Sequence, residues 1–177
     1  MKSKVVTLSA VSAALTALSL IVGAYFEVAD LFMIIIASSL ILLPLYYNSY
    51  KGSALASVVG GIIAFICSGF NIMSLVFPTY FAFFAFFPIV KIRAVEKQFN
   101  KTLMFILGLI WFVAVSYGTY FYYTLIMNGV FDGLPDFARE YILVFVGILS
   151  IIFYVVYNRF VLVVKYTIDR YLIRIIK

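Results

Sequence analysis

Charged residues are absent from five long stretches of this chain, 5–26, 31–47, 53–70, 72–90 and 102–127, and a sixth, 142–164, holds only Arg159. Each stretch is close to the roughly 20 residues that carry an apolar helix across a hydrocarbon core about 30 Å thick. The pattern predicts an all-α fold: a polytopic integral membrane protein with six transmembrane helices arranged as three hairpins in a single domain. The division near Gly69-Phe70-Asn71 rests on length. Residues 53–90 as one helix would reach about 57 Å, far beyond a bilayer. Asn158 and Arg159 either end the sixth span or lie in a helix that continues, with Arg159 reaching to the interface. Residues 165–177 place Lys165, Asp169, Arg170, Arg174 and Lys177 among Ile168, Leu172, Ile175 and Ile176. That is an amphipathic basic helix suited to membrane lipid or to a docking protein.

An even number of crossings puts both termini on one face. Lys2, Lys4, Lys51, Lys91, Arg93, Lys97, Lys101, Arg159, Lys165, Arg170, Arg174 and Lys177 then share that face with only Glu96 and Asp169. Glu27, Asp30, Asp132, Asp136, Arg139 and Glu140 fall on the other. The positive-inside bias makes the basic face and both termini cytoplasmic, in a plasma membrane of prokaryotic type. Lys91 to Lys101 reads as the basic cytoplasmic connection in mid-chain.

Composition then removes several classes of function. The chain is 66% hydrophobic and 11% charged, which excludes a soluble domain of this size. Its basic residues sit beside helix ends, where topology and anionic lipid account for them without nucleic acid. There is no histidine, and Cys67, expected to be buried in the third span, is the one cysteine. An internal disulfide and a His- or Cys-based metal centre are thereby excluded, and a histidine-dependent membrane hydrolase lacks its base. The chain reads as no enzyme and as needing no cofactor of its own. The first apolar run is too long for a cleaved leader and is expected to remain as an anchor.

Four sets of residues are candidates for function. Gly52, Ala56, Gly60, Ala64 and Ser68 stand four apart on one face of the third span, a smooth strip for close helix packing. Ala10 with Ala14, and Ser9 with Ala13 and Ala17, make two such rows on the first span, for packing within the chain or docking to another membrane subunit. The outer part of the fifth span carries Ser116, Tyr117, Thr119, Tyr120, Tyr122, Tyr123 and Thr124, running from Trp111 to Asn128. Hydroxyls on aromatic scaffolds can stack on a flat ligand and bond its edge, although tyrosine also belts membrane boundaries. Glu27 and Asp30 in the first external link, and Asn71 in the second, would stand at the mouth of such a pocket or serve as helix-end charges and caps. Pro78 should distort the fourth span. Residues 128–141 form the longest external connection, a lid or a solvated connector.

The Ala10/Ala14 and Ala13/Ala17 helix, the run FEVADLFMIIIASSLILLP and the small-residue run YKGSALASVVGGIIAF resemble the substrate-binding S-components of energy-coupling factor (ECF) vitamin transporters. The resemblance implies a small vitamin-like or heterocyclic nutrient bound from the external side, and Glu27, Asp30, Asn71, Trp111, Tyr117, Tyr120, Tyr123 and Asn128 are the candidates for contact with it. It implies docking through Ala10, Ala13, Ala14 and Ala17 to a transmembrane coupling subunit carrying two ABC-type ATPases. This chain has no phosphate-binding glycine loop, so ATP would be used by those partners. The competing reading is a non-transporting membrane scaffold of the MreD type, in cell-shape or cell-wall assembly, working through its basic loop and C-terminal helix.

Overall fold

The computed structural model describes residues 2–71, 74–126 and 135–176. Helices α1 (Lys2–Tyr25), α2 (Asp30–Leu40), α3 (Tyr50–Cys67), α4 (Val76–Thr79), α5 (Phe87–Glu96), α6 (Lys101–Ile126) and α7 (Asp136–Ile176) follow one another, and no strand occurs among the described residues. Six segments are long and apolar enough to cross a membrane: Ser3–Tyr25, Asp30–Tyr47, Tyr50–Cys67, Val76–Glu96, Lys101–Leu125 and Tyr141–Tyr171. The second span continues beyond α2 through a 3₁₀ turn, Leu43–Tyr47, with Pro44 as its second residue.

Neighbouring contacts give the helix directions. Ser9 of α1 lies beside Gly52 of α3, and Thr16 beside Gly60, so these two helices run parallel. Gly23 of α1 faces Met33, whereas Ser12 bonds the carbonyl of Leu40, so α2 runs back along α1. The α1–α3 contact is close because the small residues permit it: a Cβ on Gly60 would sit 2.8 Å from the carbonyl of Ala13. Ala56, Ala64 and Ser68 of the same strip are buried as well. The strip therefore seals α3 against the chain's own helices.

The ends of α3, α5 and α6 are written in local chemistry. Gly69 takes φ +70°, Phe70 N–H reaches the Phe65 carbonyl at 3.0 Å, and Gly69 N–H reaches that of Ile66 at 3.1 Å. The two rings meet edge-on at 5.3 Å. This is a Schellman stop with its apolar clasp. Gln98, at φ 53°, ends α5 in the same way. Asn100 then starts α6 by accepting from the amides of Thr102 and Leu103.

The fourth span is the centre of the bundle. It has the lowest mean hydropathy of the six, 1.3, and the largest buried share, 61%. A helix surrounded by protein need not be uniformly greasy, whereas α6, with 11% buried, presents its flanks outward. Between α4 and α5 the span passes through a π turn, Tyr80–Phe84, in which Ala85 N–H bonds the Tyr80 carbonyl at 2.8 Å. Pro78 precedes this distortion and Pro88 follows it, each without a backbone donor. Phe83 anchors the aromatic core there, stacked on Phe87 at 4.5 Å and edge-on to Phe112 at 4.8 Å.

Two expectations change. Lys91 does not open a loop; α5 continues to Glu96, and Lys91 is buried within it. Cys67 is exposed on the outer surface of α3. Both follow from the angular position of a residue on its helix, which a span assignment leaves open. Of the two readings of Asn158 and Arg159, the helix continues past them: α7 is one helix of 41 residues, Asp136–Ile176.

Candidate functional site

Lys4, Arg93 and Lys165 lie toward one end of the bundle. Tyr47 lies against Ser3 and Lys4, Arg93 covers the Tyr50 ring at 5.6 Å, the Tyr50 hydroxyl bonds Glu96, and Lys165 donates to the Leu45 carbonyl at 3.2 Å. Gly23, Asp30 and Val76 meet at the other end.

On that second end a cleft of about 270 Å³ opens between α2, the fourth span, α6 and α7. Phe84, Phe112 and Phe153 supply rings, with Phe112 and Phe153 stacked at 5.5 Å. Thr79, Ser116, Thr119 and Ser150 supply hydroxyls. Ser116 spends its proton on the Phe112 carbonyl at 2.9 Å, and Ser150 spends its own on Val146 at 2.6 Å. Both therefore offer lone pairs, not donors, to anything in the cleft. Thr79 and Thr119 face each other at 3.5 Å. No lining side chain is charged. The arrangement suits a small, uncharged, flat molecule with an N–H or O–H on its edge.

The residues singled out from sequence are spread around this cleft. Asp30 begins α2 next to Leu31 on the cleft wall, and its carboxylate accepts from the Leu31 amide. Trp111 points into the aromatic core, edge-on to Phe83 at 5.4 Å. Tyr117 donates to the Leu143 carbonyl at 3.0 Å and lies over Gly147, pinning α6 to α7. Tyr120 and Tyr123 are half-buried on α6, and Tyr120 meets Phe121 edge-on at 5.5 Å. Asn71 caps the chain's return by accepting from Ser74 N–H at 3.2 Å. Asn128 and the side chain of Glu27 lie outside the described residues. None of the placed members lines the cleft; the α6 residues that do are Phe112, Val115, Ser116 and Thr119. Ser116 and Thr119 were legible as part of the hydroxyl-rich half of α6. Thr79 and Ser150 carried no signal, being single hydroxyls in apolar runs.

The four alanines of α1 divide by row. Ala13 and Ala17 are buried, Ala13 lying against Gly60 of α3, and Ala10 and Ala14 are exposed. Beside them, a groove of about 400 Å³ runs between α1 and α3, lined by Val6, Ala10, Ala13, Gly52, Leu55 and Val59 among others. A third surface cavity, about 250 Å³, lies among Phe65, Phe77, Pro78, Phe81 and Tyr122 and is almost wholly apolar.

Comparison with known proteins adds no kinship: no family model, no curated protein and no solved structure matches this chain. The class that fold and cleft define, among the described residues, is an all-helical bundle with six segments able to span a membrane and a small aromatic, hydroxyl-lined cleft at the end away from Lys4, Arg93 and Lys165.

Proposed function

We propose that this chain is the substrate-capture subunit of an ECF-type uptake transporter in a prokaryotic cytoplasmic membrane. Both termini are cytoplasmic, and the cleft takes a small vitamin-like or heterocyclic nutrient from the external side. The observation that carries this reading is the cleft itself, at the bundle end remote from Lys4, Lys51, Arg93 and Lys165. Its rings offer stacking, its serines offer acceptors, and Asp30 stands one residue from its wall. The exposed Ala10–Ala14 row and the adjoining groove supply a smooth face for the helix of a coupling subunit, whose two ATPases would consume ATP.

Mass spectrometry of small molecules retained by the purified chain tests the reading. A neutral heterocycle lost on Ser116→Phe supports it; a chain that retains nothing and binds nothing across a panel of vitamins and nucleobases overturns it. Co-purification of ATPases with a coupling subunit supports transport, whereas cytoskeletal or peptidoglycan-synthesis partners would replace it with the scaffold reading.

A further inference from the structure

The hydroxyls of the cleft differ in which of their protons are free. Ser116 and Ser150 bond the carbonyl four residues back on their own helices, as Ser9, Ser19 and Ser39 do elsewhere in the chain. Each therefore turns only lone pairs toward a ligand. Ser150 is 6% exposed, so its oxygen belongs to the inner wall.

Thr79 and Thr119 depart from this habit. Among the described residues neither donates to a backbone carbonyl, and their hydroxyls face each other at 3.5 Å. One proton is enough for that contact, whichever threonine supplies it, so the other is left for a ligand. The contact is also long for two hydroxyls, which prefer about 2.7–2.8 Å, and is readily exchanged for a bond to a ligand oxygen.

Ser116 and Thr119 stand three apart on α6, a spacing that puts their Cβ atoms about 5–6 Å apart on one face. An acceptor and a donor thus lie side by side, next to the stacked rings of Phe112 and Phe153. An amine would answer the serines and leave the threonine proton unmatched. A carboxylate would answer the threonine, but it would meet the serine lone pairs, and no lining side chain carries a charge to hold it. A neutral amide edge, with N–H beside C=O, answers both. The cleft, about 270 Å³, is smaller than the roughly 300–1,000 Å³ of sites for drug-sized ligands, which leaves room for one ring or two fused rings.

We infer that the cleft selects an uncharged ring with an amide edge, as a carboxamide substituent or a ring lactam, and rejects the matching carboxylate. The ring lies on the phenylalanine faces, its N–H donates to Ser116 or Ser150, and its C=O accepts from Thr79 or Thr119. This substrate class rests on the cleft being the capture site proposed above.

Equilibrium dialysis of the full-length protein against radiolabelled rings tests it. Nicotinamide should bind about tenfold more tightly than nicotinate, which is charged, and than methyl nicotinate, which keeps the C=O and lacks the N–H. Uracil should exceed 1,3-dimethyluracil by a similar factor. Ser116→Ala or Ser150→Ala should weaken the amides about tenfold and leave the N–H-free partners within about twofold. The double change Thr79→Val with Thr119→Val should weaken amide and ester alike, and either single change should do less, because the remaining hydroxyl keeps its proton. Equal or tighter binding of the carboxylate or of the N–H-free rings overturns the inference, as does amide binding that survives all of these changes. Both results leave a ring bound and the capture reading standing. Should none of the probes bind, the molecule retained on purification decides. A neutral amide-edged ring supports the inference, a charged or amide-free one overturns it alone, and nothing retained overturns it together with the capture reading.

Discussion

Ser57 and Tyr80 join α3 to the central span through hydroxyls 3.0 Å apart. Ser57 donates its single proton to the Ala85 carbonyl at 2.9 Å, and Tyr80 directs its own at Ser57, whose hydroxyl oxygen lies at 3.0 Å and whose backbone carbonyl lies at 3.3 Å. Ala85 lies at the break between the π turn and α5, and Val90 N–H turns to Phe86 at the start of the new helix. The serine thus satisfies a carbonyl at the break, and the tyrosine secures the serine. An unsatisfied carbonyl at this depth would find no water, so the pair holds the fourth span in its broken shape.

Ser57→Ala should therefore destabilise the protein by about 1–2 kcal/mol, because it orphans the Ala85 carbonyl and leaves the Tyr80 hydroxyl only its longer, 3.3 Å bond to the backbone carbonyl of position 57. Tyr80→Phe removes one donor and leaves the Ser57–Ala85 bond in place, so it should cost less. Thermal unfolding in a fixed detergent compares the two; a larger loss for Tyr80→Phe would mean that the serine is not the keystone.

Thr16 is fully buried, and its hydroxyl has no hydrogen-bond partner. Thr16→Val keeps the shape and removes the orphan, so it should be neutral or stabilising by up to about 1 kcal/mol. A drop in Tm would show that a buried water bonds this hydroxyl.

Gly60→Val places a side chain against the Ala13 carbonyl, which already lies 2.8 Å from a Cβ position, and Thr16 crowds the same spot. It should force α1 away from α3 at a cost of about 3 kcal/mol, lowering folded yield. Ala14→Leu, on the exposed row, should leave folding unchanged. Under the transport reading it should also reduce recovery of the coupling subunit. Size-exclusion profiles separate the first effect, and quantitative co-purification the second.

Tyr117→Phe should cost about 1 kcal/mol by deleting the 3.0 Å bond to Leu143, while leaving ligand retention within about twofold. Thr119→Ile, which puts bulk into the cleft, should lower retention roughly tenfold with little effect on folding. The opposite ranking in a binding assay would move the ligand from the cleft to the tyrosine face.

The site was legible in part. The hydroxyl-rich half of α6 contributes Ser116 and Thr119 to the cleft, whereas the stripe that helical spacing groups on it, Ser116, Tyr120, Tyr123 and Thr124, shares only Ser116 with that lining. Aromatic and hydroxyl residues surround this helix, so periodicity could not choose between its faces. The small strip of α3 was a better guide, because a smooth face has one use, close approach, and the burial of Gly52, Ala56, Gly60 and Ala64 follows from it. On α1 the two alanine rows looked alike, and only the position of α3 decided that Ala13 and Ala17 are inside and Ala10 and Ala14 outside.

What the sequence alone determined is the number of apolar segments and where most of them end. Span length depends only on the distance between charged residues, and the turn after Cys67 on a glycine able to take positive φ, both local properties. Tertiary structure decided which face of each helix meets protein. It placed Lys91 inside, Cys67 outside, and four hydroxyls from α4, α6 and α7 around one cleft. In a chain this apolar, core and lipid-facing surface have the same composition, so the hydrophobic pattern that orients a helix in water carries little direction.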